Sequence, residues 1–162
     1  MSQQYREAVG DRTEWLLRLL YAPDRYGKEN IPLFGRTRLM KAAFLIDRKF
    51  EENFDRQTDF DFEPHKYGPF DKGVLDAIEQ LANKDLVIIT ESSNHGESYD
   101  LVKYELTKTG AKRGRSLYTE LPQNEQRLIR WIKNERAMQK MGRLLTSVYN
   151  EYPHMTVESE LV

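Results

Sequence analysis

The sequence contains no cysteine, only three histidines and no apolar run long enough to cross a membrane. Without cysteine the chain can form no disulfide, thiolate nucleophile or cysteine-based zinc site, which fits a reducing compartment. His65, His95 and His154 lack the spacing of metal ligands, so we predict neither a metal site nor a cofactor. The polar start MSQQYREAVGDR lacks the apolar centre of a secretory signal. We therefore predict a cytoplasmic protein without a membrane span.

An excess of charge of one sign is also missing, because 25 Lys and Arg stand against 26 Asp and Glu. The whole chain therefore does not attract nucleic acid, and any such binding needs a local patch. What the chain does have is 162 residues, of which 39% are hydrophobic, with nine tyrosines and seven phenylalanines. That is enough for one packed core, and we predict a single soluble domain over residues 1–162.

Apolar residues recur at helical spacing in several parts of the chain. The first helix carries Trp15, Leu16, Leu19 and Leu20, and the second has Leu39, Ala43, Ile46 and Phe50 on one stripe. Val74, Ile78 and Leu81 form the stripe of the third. The predicted helices after the first are 36 to about 51, 72–84, 108–118, one that begins at Pro122, and about 138–151.

Two segments rich in β-branched and aromatic residues, LVIIT (86–90) and LVKYELT (101–107), predict a β-hairpin. Phe60 and Phe62 alternate with acids and predict one more short, half-buried strand. Three helices followed by a hairpin is the order of a winged helix-turn-helix. We predict an α+β, mostly helical fold, with a winged core and two-stranded wing over 11–107 and a C-terminal helical extension over 108–162 packed on it.

The stretch EPHKYGPF (63–70) forms a corner between the predicted strand and the third helix. Gly68 permits an unusual backbone angle, Pro69 sets the corner, and Asp71 can cap the helix that follows. A fixed corner would hold the rings of Tyr67 and Phe70 at a surface where a partner protein can dock. The residues predicted to bind a partner are Tyr67, Phe70, His65 and Lys66.

An enzymatic interpretation of the same corner makes Glu63 or His65 a general base with Tyr67 beside it. No nucleophile, glycine-rich phosphate loop or second carboxylate pair stands nearby in the sequence. We therefore predict that the protein is not an enzyme.

Positive charge is concentrated on the second helix, in the second arm of the hairpin and just beyond it. Such cations either form a solvated face whose long stems cover apolar neighbours, or face a phosphate backbone or an acidic partner. Reading of DNA bases by the third helix is disfavoured, because residues 71–85 contain four acids and two lysines. The predicted phosphate-binding residues are Arg36, Arg38, Lys41, Lys103, Lys108, Lys112, Arg113 and Arg115.

The last helix has a clean apolar stripe that must pack on something. Either Tyr149 and Tyr152 close the core over this helix, or the stripe is completed in a homodimer or by a bound partner. The sequence does not distinguish these two arrangements.

The chain resembles the Panacea-domain group, which comprises SocA-like antitoxins and the related YwgA-like, phage-associated small proteins. The segments that carry the resemblance are GRTRLMKAAFLID (35–47), EPHKYGPFDKGVLDAIEQLANKDLV (63–87) and LLTSVYNEYPHMTVESE (144–160). Its most specific element is Tyr67-Gly68-Pro69 before a helix, whereas 1–29 and 52–59 depart from the pattern. The resemblance implies a winged-helix fold and neutralisation of a toxin by protein contact, in some members with proteolytic delivery or DNA binding.

Two functions are therefore expected from the sequence. The first is a non-enzymatic interaction protein of the antitoxin or phage-defence type that binds and occludes a partner protein. The alternative is a winged-helix transcriptional regulator that binds DNA mainly through phosphate contacts.

Overall fold

The computed structural model describes residues 12–66, 68–91, 102–137 and 140–155, which form six α-helices and three β-strands. The α+β, mostly helical class predicted from the sequence is confirmed. In chain order the elements are α1 (Arg12–Tyr21), β1 (Leu33–Phe34), α2 (Arg36–Phe54), α3 (Lys72–Asn83), β2 (Val87–Glu91), β3 (Val102–Leu106), α4 (Lys108–Thr119), α5 (Gln123–Trp131), a π-helical segment (Ile132–Ala137), α6 (Met141–Glu151) and a 3-10 turn (Pro153–Met155).

The strands form one antiparallel sheet in the order β1-β3-β2. The predicted hairpin is confirmed as β2 and β3, with Ile89 opposite Tyr104. The sequence did not indicate β1, whose Leu33 pairs with Tyr104 from the other side. Leu33 and Tyr104 are both buried, so the inner face of the sheet belongs to the core.

Helix α2 lies at the centre of the core. Its predicted stripe, Leu39, Ala43, Ile46 and Phe50, is completely buried. Phe44 widens the contact, because its ring meets Phe62 at 5.2 Å and Tyr152 at 4.9 Å between centroids, both edge to face.

Tyr152 follows α6 and is 6% exposed, and its hydroxyl donates to Glu52 Oε2 at 3.0 Å. Tyr149 is half-buried against the core. Of the two arrangements left open by the sequence, the first is found: Tyr149 and Tyr152 pack on the core of the same chain. Oligomeric state stays a prediction.

Helix α3 begins where the sequence predicted. Asp71 precedes it in an extended conformation, and its Oδ1 accepts a hydrogen bond from Gly73 N at 2.9 Å. The stripe of Val74, Ile78 and Leu81 is buried, with at most 2% of each residue exposed. The amphipathic pattern thus fixes which side of α3 faces the core.

The short strand predicted at Phe60 and Phe62 is wrong. The segment between α2 and α3 forms only an isolated bridge, between Glu63 and Phe70. Phe60 and Phe62 alternate with acids because both rings lie against the core, 5.6 Å apart between centroids, and not because the segment joins the sheet. Alternation reports burial on one side, which an extended loop achieves as well as a strand.

Helix α6 was predicted from about residue 138 and is found from Met141 to Glu151. Residues 138 and 139 lie outside the described part of the chain. Among the described residues, no helix has both the length and the apolar character that crossing a bilayer demands. The same residues contain no cluster of three metal-ligating side chains.

Candidate partner-binding loop

Residues 63–70, here called the corner loop, are closed at their base by two backbone hydrogen bonds. Glu63 N donates to Phe70 O and Phe70 N donates to Glu63 O, each at 3.0 Å. Inside the loop, Gly68 N donates to His65 O at 3.0 Å. These three bonds constrain the described part of the loop backbone, as in a tight turn.

The loop rests on a buried lysine. Lys41 is 4% exposed, and its Nζ donates to Pro69 O at 3.3 Å. Gly68 has φ of 104°, and a Cβ atom there would lie 3.0 Å from Lys41 Nζ and 3.0 Å from Tyr149 Cε1. The backbone angle therefore favours glycine at 68, and a larger residue would also press on Lys41 and Tyr149. Burial lowers the pKa of Lys41 from 10.5 to about 8.

The outer side of the corner loop carries most of the residues predicted to bind a partner. His65 and Lys66 are exposed, and Phe70 is half-buried. The rings of His65 and Phe70 are 5.1 Å apart between centroids, and His65 N donates to Met155 O at 3.4 Å. Tyr67 lies outside the described residues. The loop therefore brings His65, Lys66 and Phe70 together beside the C-terminal 3-10 turn.

A buried ion pair fixes the loop's exit into α3. Arg12 donates to Asp71 from Nε at 2.7 Å and from Nη2 at 3.3 Å, and Asp61 N donates to Asp71 Oδ2 at 3.1 Å. Both charged side chains are less than a tenth exposed. A Cβ on Gly73 would lie 2.4 Å from Arg12 Nε, so glycine makes room for the guanidinium. Arg12 was not identified from the sequence. Glycine is unfavourable inside a helix, so Gly73 in the first turn of α3 was the available sign that another side chain packs there.

The catalytic alternative placed a general base at Glu63 or His65. Both residues are exposed, on the loop that the Glu63–Phe70 bridge closes. A cavity of about 290 Å³ lies instead between α1, α3 and the start of β2, and neither residue lines it.

The prediction that Lys41 contacts phosphate is contradicted by its position beneath the corner loop. A lysine on the buried stripe of a helix can reach inward to a carbonyl oxygen, and the sequence does not show in which direction it points. Other predicted cations are paired with carboxylates: Arg36 Nη2 with Glu91 at 3.0 Å, Lys103 Nζ with Glu105 at 3.5 Å, and Arg113 Nη2 with Glu14 at 3.5 Å.

Helix α4 carries the predicted cations that stay most accessible. Lys108, Lys112 and Arg115 are exposed, and no carboxylate of the described residues lies within ion-pair distance of them. Arg38, on α2, is half-buried. The predicted cations of α2 and those of α4 contact different elements. Arg36 of α2 pairs with Glu91 at the end of β2, and Arg113 of α4 pairs with Glu14 of α1.

Helix α3 presents little that could read a DNA base. Gln80 is 8% exposed, so its amide does not reach a groove, and Asn83 lies at the last turn. Lys72 and Glu79 are exposed and of opposite charge. Residues 71–85 contain four acids and two lysines, so this segment lacks the excess of positive charge that binding to phosphate needs.

Comparison with known proteins adds no relative: no family model, no curated protein and no solved structure matches the chain. The resemblance to the Panacea-domain group therefore stays a prediction that depends on the residues quoted for it.

Proposed function

We propose that this protein is a non-enzymatic winged-helix module of the antitoxin type, which binds a partner protein through the corner loop and occludes it. The order of α1, β1, α2, α3 and the β2–β3 hairpin supports the winged-helix part of the proposal, since β1 completes the sheet beside β3. The observation that carries the functional part is the corner loop, which is closed by the Glu63–Phe70 bridge and exposes His65 and Lys66.

The hydrogen bonds of the corner loop favour binding, because a loop that is already ordered loses little conformational entropy when it binds. The corner loop is closed by the Glu63–Phe70 bridge and supported by Lys41 from below. Backbone groups of the loop therefore form hydrogen bonds within the protein, whereas His65 and Lys66 are exposed.

The exposed chemistry of the loop indicates the partner's chemistry. Lys66 is exposed and carries a positive charge, and the rings of His65 and Phe70 lie 5.1 Å apart between centroids, tilted by 33°. A partner surface with a carboxylate next to an apolar or aromatic side chain would match both features.

The second candidate is a DNA-binding regulator, which the exposed cations Lys108, Lys112 and Arg115 of α4 favour. Contacts of this kind go to phosphates and carry no sequence information. Their affinity would fall steeply with added salt. On this alternative the corner loop has no role in binding.

Two charge reversals separate the candidates, and each serves as the control for the other. Lys66→Glu changes the corner loop and Lys112→Glu changes α4, both at exposed positions, where substitutions usually change stability little. Proteins that co-purify with the tagged wild-type chain from its native host would be identified and then tested against both variants.

We expect K66E to lose the partner and K112E to retain it. The partner should also regain its own activity when K66E replaces the wild-type chain. Loss in K112E alone, together with salt-sensitive retardation of duplex DNA by the wild-type chain, would support the regulator and overturn the antitoxin proposal.

A further inference from the structure

The cavity of about 290 Å³ between α1, α3 and the start of β2 is lined by three leucines and five polar side chains. Four of the polar side chains come from α1, α3 and α4, and the fifth belongs to Lys84, which follows α3. The polar side chains are Thr13, Glu14, Gln80, Lys84 and Arg113. Arg113 comes from α4, so the cavity forms only when α4 packs on α1. It shares no residue with the corner loop.

Gln80 is the unusual residue of the cavity wall. It is 8% exposed, and its Oε1 is buried without a hydrogen-bond partner in the described part of the chain. Buried polar atoms almost always have a partner, and Oε1 gains one from a molecule in the cavity if the side chain turns towards it. Rotation about the last torsion of the side chain lets the amide offer either its oxygen or its nitrogen to that molecule.

The charges of the cavity are mixed. Arg113 Nη2 and Glu14 Oε2 are 3.5 Å apart, the outer limit of a hydrogen bond, and both side chains are partly exposed. Lys84, which follows the last residue of α3, adds a second positive charge to the wall. A simple anion would be repelled by Glu14, and a simple cation would be repelled by Arg113 and Lys84. A ligand that carries both charges can satisfy all three.

We propose that this cavity binds a free α-amino acid. The ammonium group lies against Glu14, the carboxylate lies against Arg113 and Lys84, and the Gln80 amide pairs with a polar group of the ligand. The leucines cover its carbon atoms. A volume near the lower end of ligand pockets, which begin at about 300 Å³, suits an amino acid better than a nucleotide.

The test uses the full-length chain and each of the common L-amino acids as a separate probe, at millimolar concentration. Thermal unfolding and titration calorimetry are the two measurements. At least one amino acid is expected to raise the unfolding midpoint as its concentration increases, and to release or absorb heat with one-site saturation. Its decarboxylated amine, which lacks one of the two charges, should do neither.

Two variants link that response to the cavity. Arg113→Gln, at an exposed position, is expected to fold normally and to weaken binding by about tenfold or more. Gln80→Leu removes the unpartnered amide, so the unliganded chain should be at least as stable as the wild type, and the response should be lost. The exposed K66E variant should respond like the wild type, so failure of this proposal is distinct from failure of the antitoxin proposal.

The proposal is overturned if no amino acid changes the unfolding midpoint or gives a binding heat in the wild-type chain. It is equally overturned if the response persists at full strength in Arg113→Gln, or if sodium phosphate alone produces the same response as the amino acid.

Discussion

The two ends of α1 are held in opposite ways. At the N-terminal end, Arg12 reaches out of α1 to Asp71, which caps α3. At the C-terminal end the reverse happens, because Lys133 of the π-helical segment donates to the carbonyl oxygens of Leu20 at 2.8 Å and Ala22 at 3.2 Å. At the N-terminal end, a side chain of α1 forms the contact, whereas at the C-terminal end the backbone carbonyl groups accept hydrogen bonds from a lysine of the C-terminal extension.

The difference shows how the polar groups at the ends of a buried helix find hydrogen-bond partners. The last carbonyl groups of a helix have no partner within the helix, and burial makes that lack costly. Here Lys133 supplies the donors, and Asn134 Nδ2 adds another to Pro23 O at 3.0 Å. Since these residues are more than a hundred positions from α1, the predicted winged core and its extension stabilise each other.

The largest effect is expected when the N-terminal tie is broken. Asp71→Asn keeps a side-chain oxygen to cap α3 but removes the charge that balances the buried guanidinium of Arg12. We expect the free energy of unfolding to fall by about 3–5 kcal/mol in urea titrations. Glu79→Gln, an exposed change on the same helix, is the control and should have almost no effect. Equal stability of the two variants would show that the ion pair contributes nothing.

The tie at the C-terminal end should be the weaker of the two. Lys133→Met keeps most of the apolar volume but leaves two buried carbonyl oxygens without their donor. We expect a loss of about 2–3 kcal/mol in the free energy of unfolding. Lys112→Met, on the exposed side of α4, is the matched control. A loss as large as that of Asp71→Asn would mean that the two ends contribute equally.

The pH dependence of stability distinguishes the ends further. Burial lowers the pKa of Lys133 from 10.5 to about 7, although the nearby charge of Asp24 acts to raise it. Between those values the unfolded chain binds more protons at this lysine than the folded chain, so stability rises with pH. From pH 7 to about pH 9, below the range where tyrosines ionise, the rise should be smaller in Lys133→Met than in the wild type. Parallel curves would rule out a lowered pKa at Lys133.

The smallest effect is expected for the neutral bond at the C-terminal end. Asn134→Ala removes a donor to Pro23 O but leaves Lys133 in place. We expect a loss of about 1 kcal/mol in the free energy of unfolding, measured in urea. A loss larger than that of Lys133→Met would show that the amide, and not the ammonium, holds this end of α1.

Local pattern was sufficient to predict most of the helices and the hairpin. The stripe of α2, the cap at Asp71 and the β2–β3 hairpin each depend on a few neighbouring residues, and each is confirmed. Strand β1 was missed because two residues carry no periodicity, and its existence depends on β3, far along the chain.

The candidate site was predicted less completely, for a related reason. The corner at Gly68 and Pro69 follows from local chemistry, and Gly68 has the positive φ that such a corner needs. The inward direction of Lys41 and the partner of Asp71 depend on contacts between distant segments, and sequence periodicity does not report them. A lysine in a helix can cap a carbonyl oxygen or face solvent with the same sequence around it.

The central claim is that the corner loop binds the partner, and lysine footprinting of the complex tests it most directly. Lys66 and Lys112 are both exposed and would be labelled with an amine-reactive reagent in the free chain and in the complex with the co-purified partner. Our account predicts that the partner protects Lys66 and leaves the reactivity of Lys112 unchanged. Protection of Lys112 with undiminished labelling of Lys66 would contradict it.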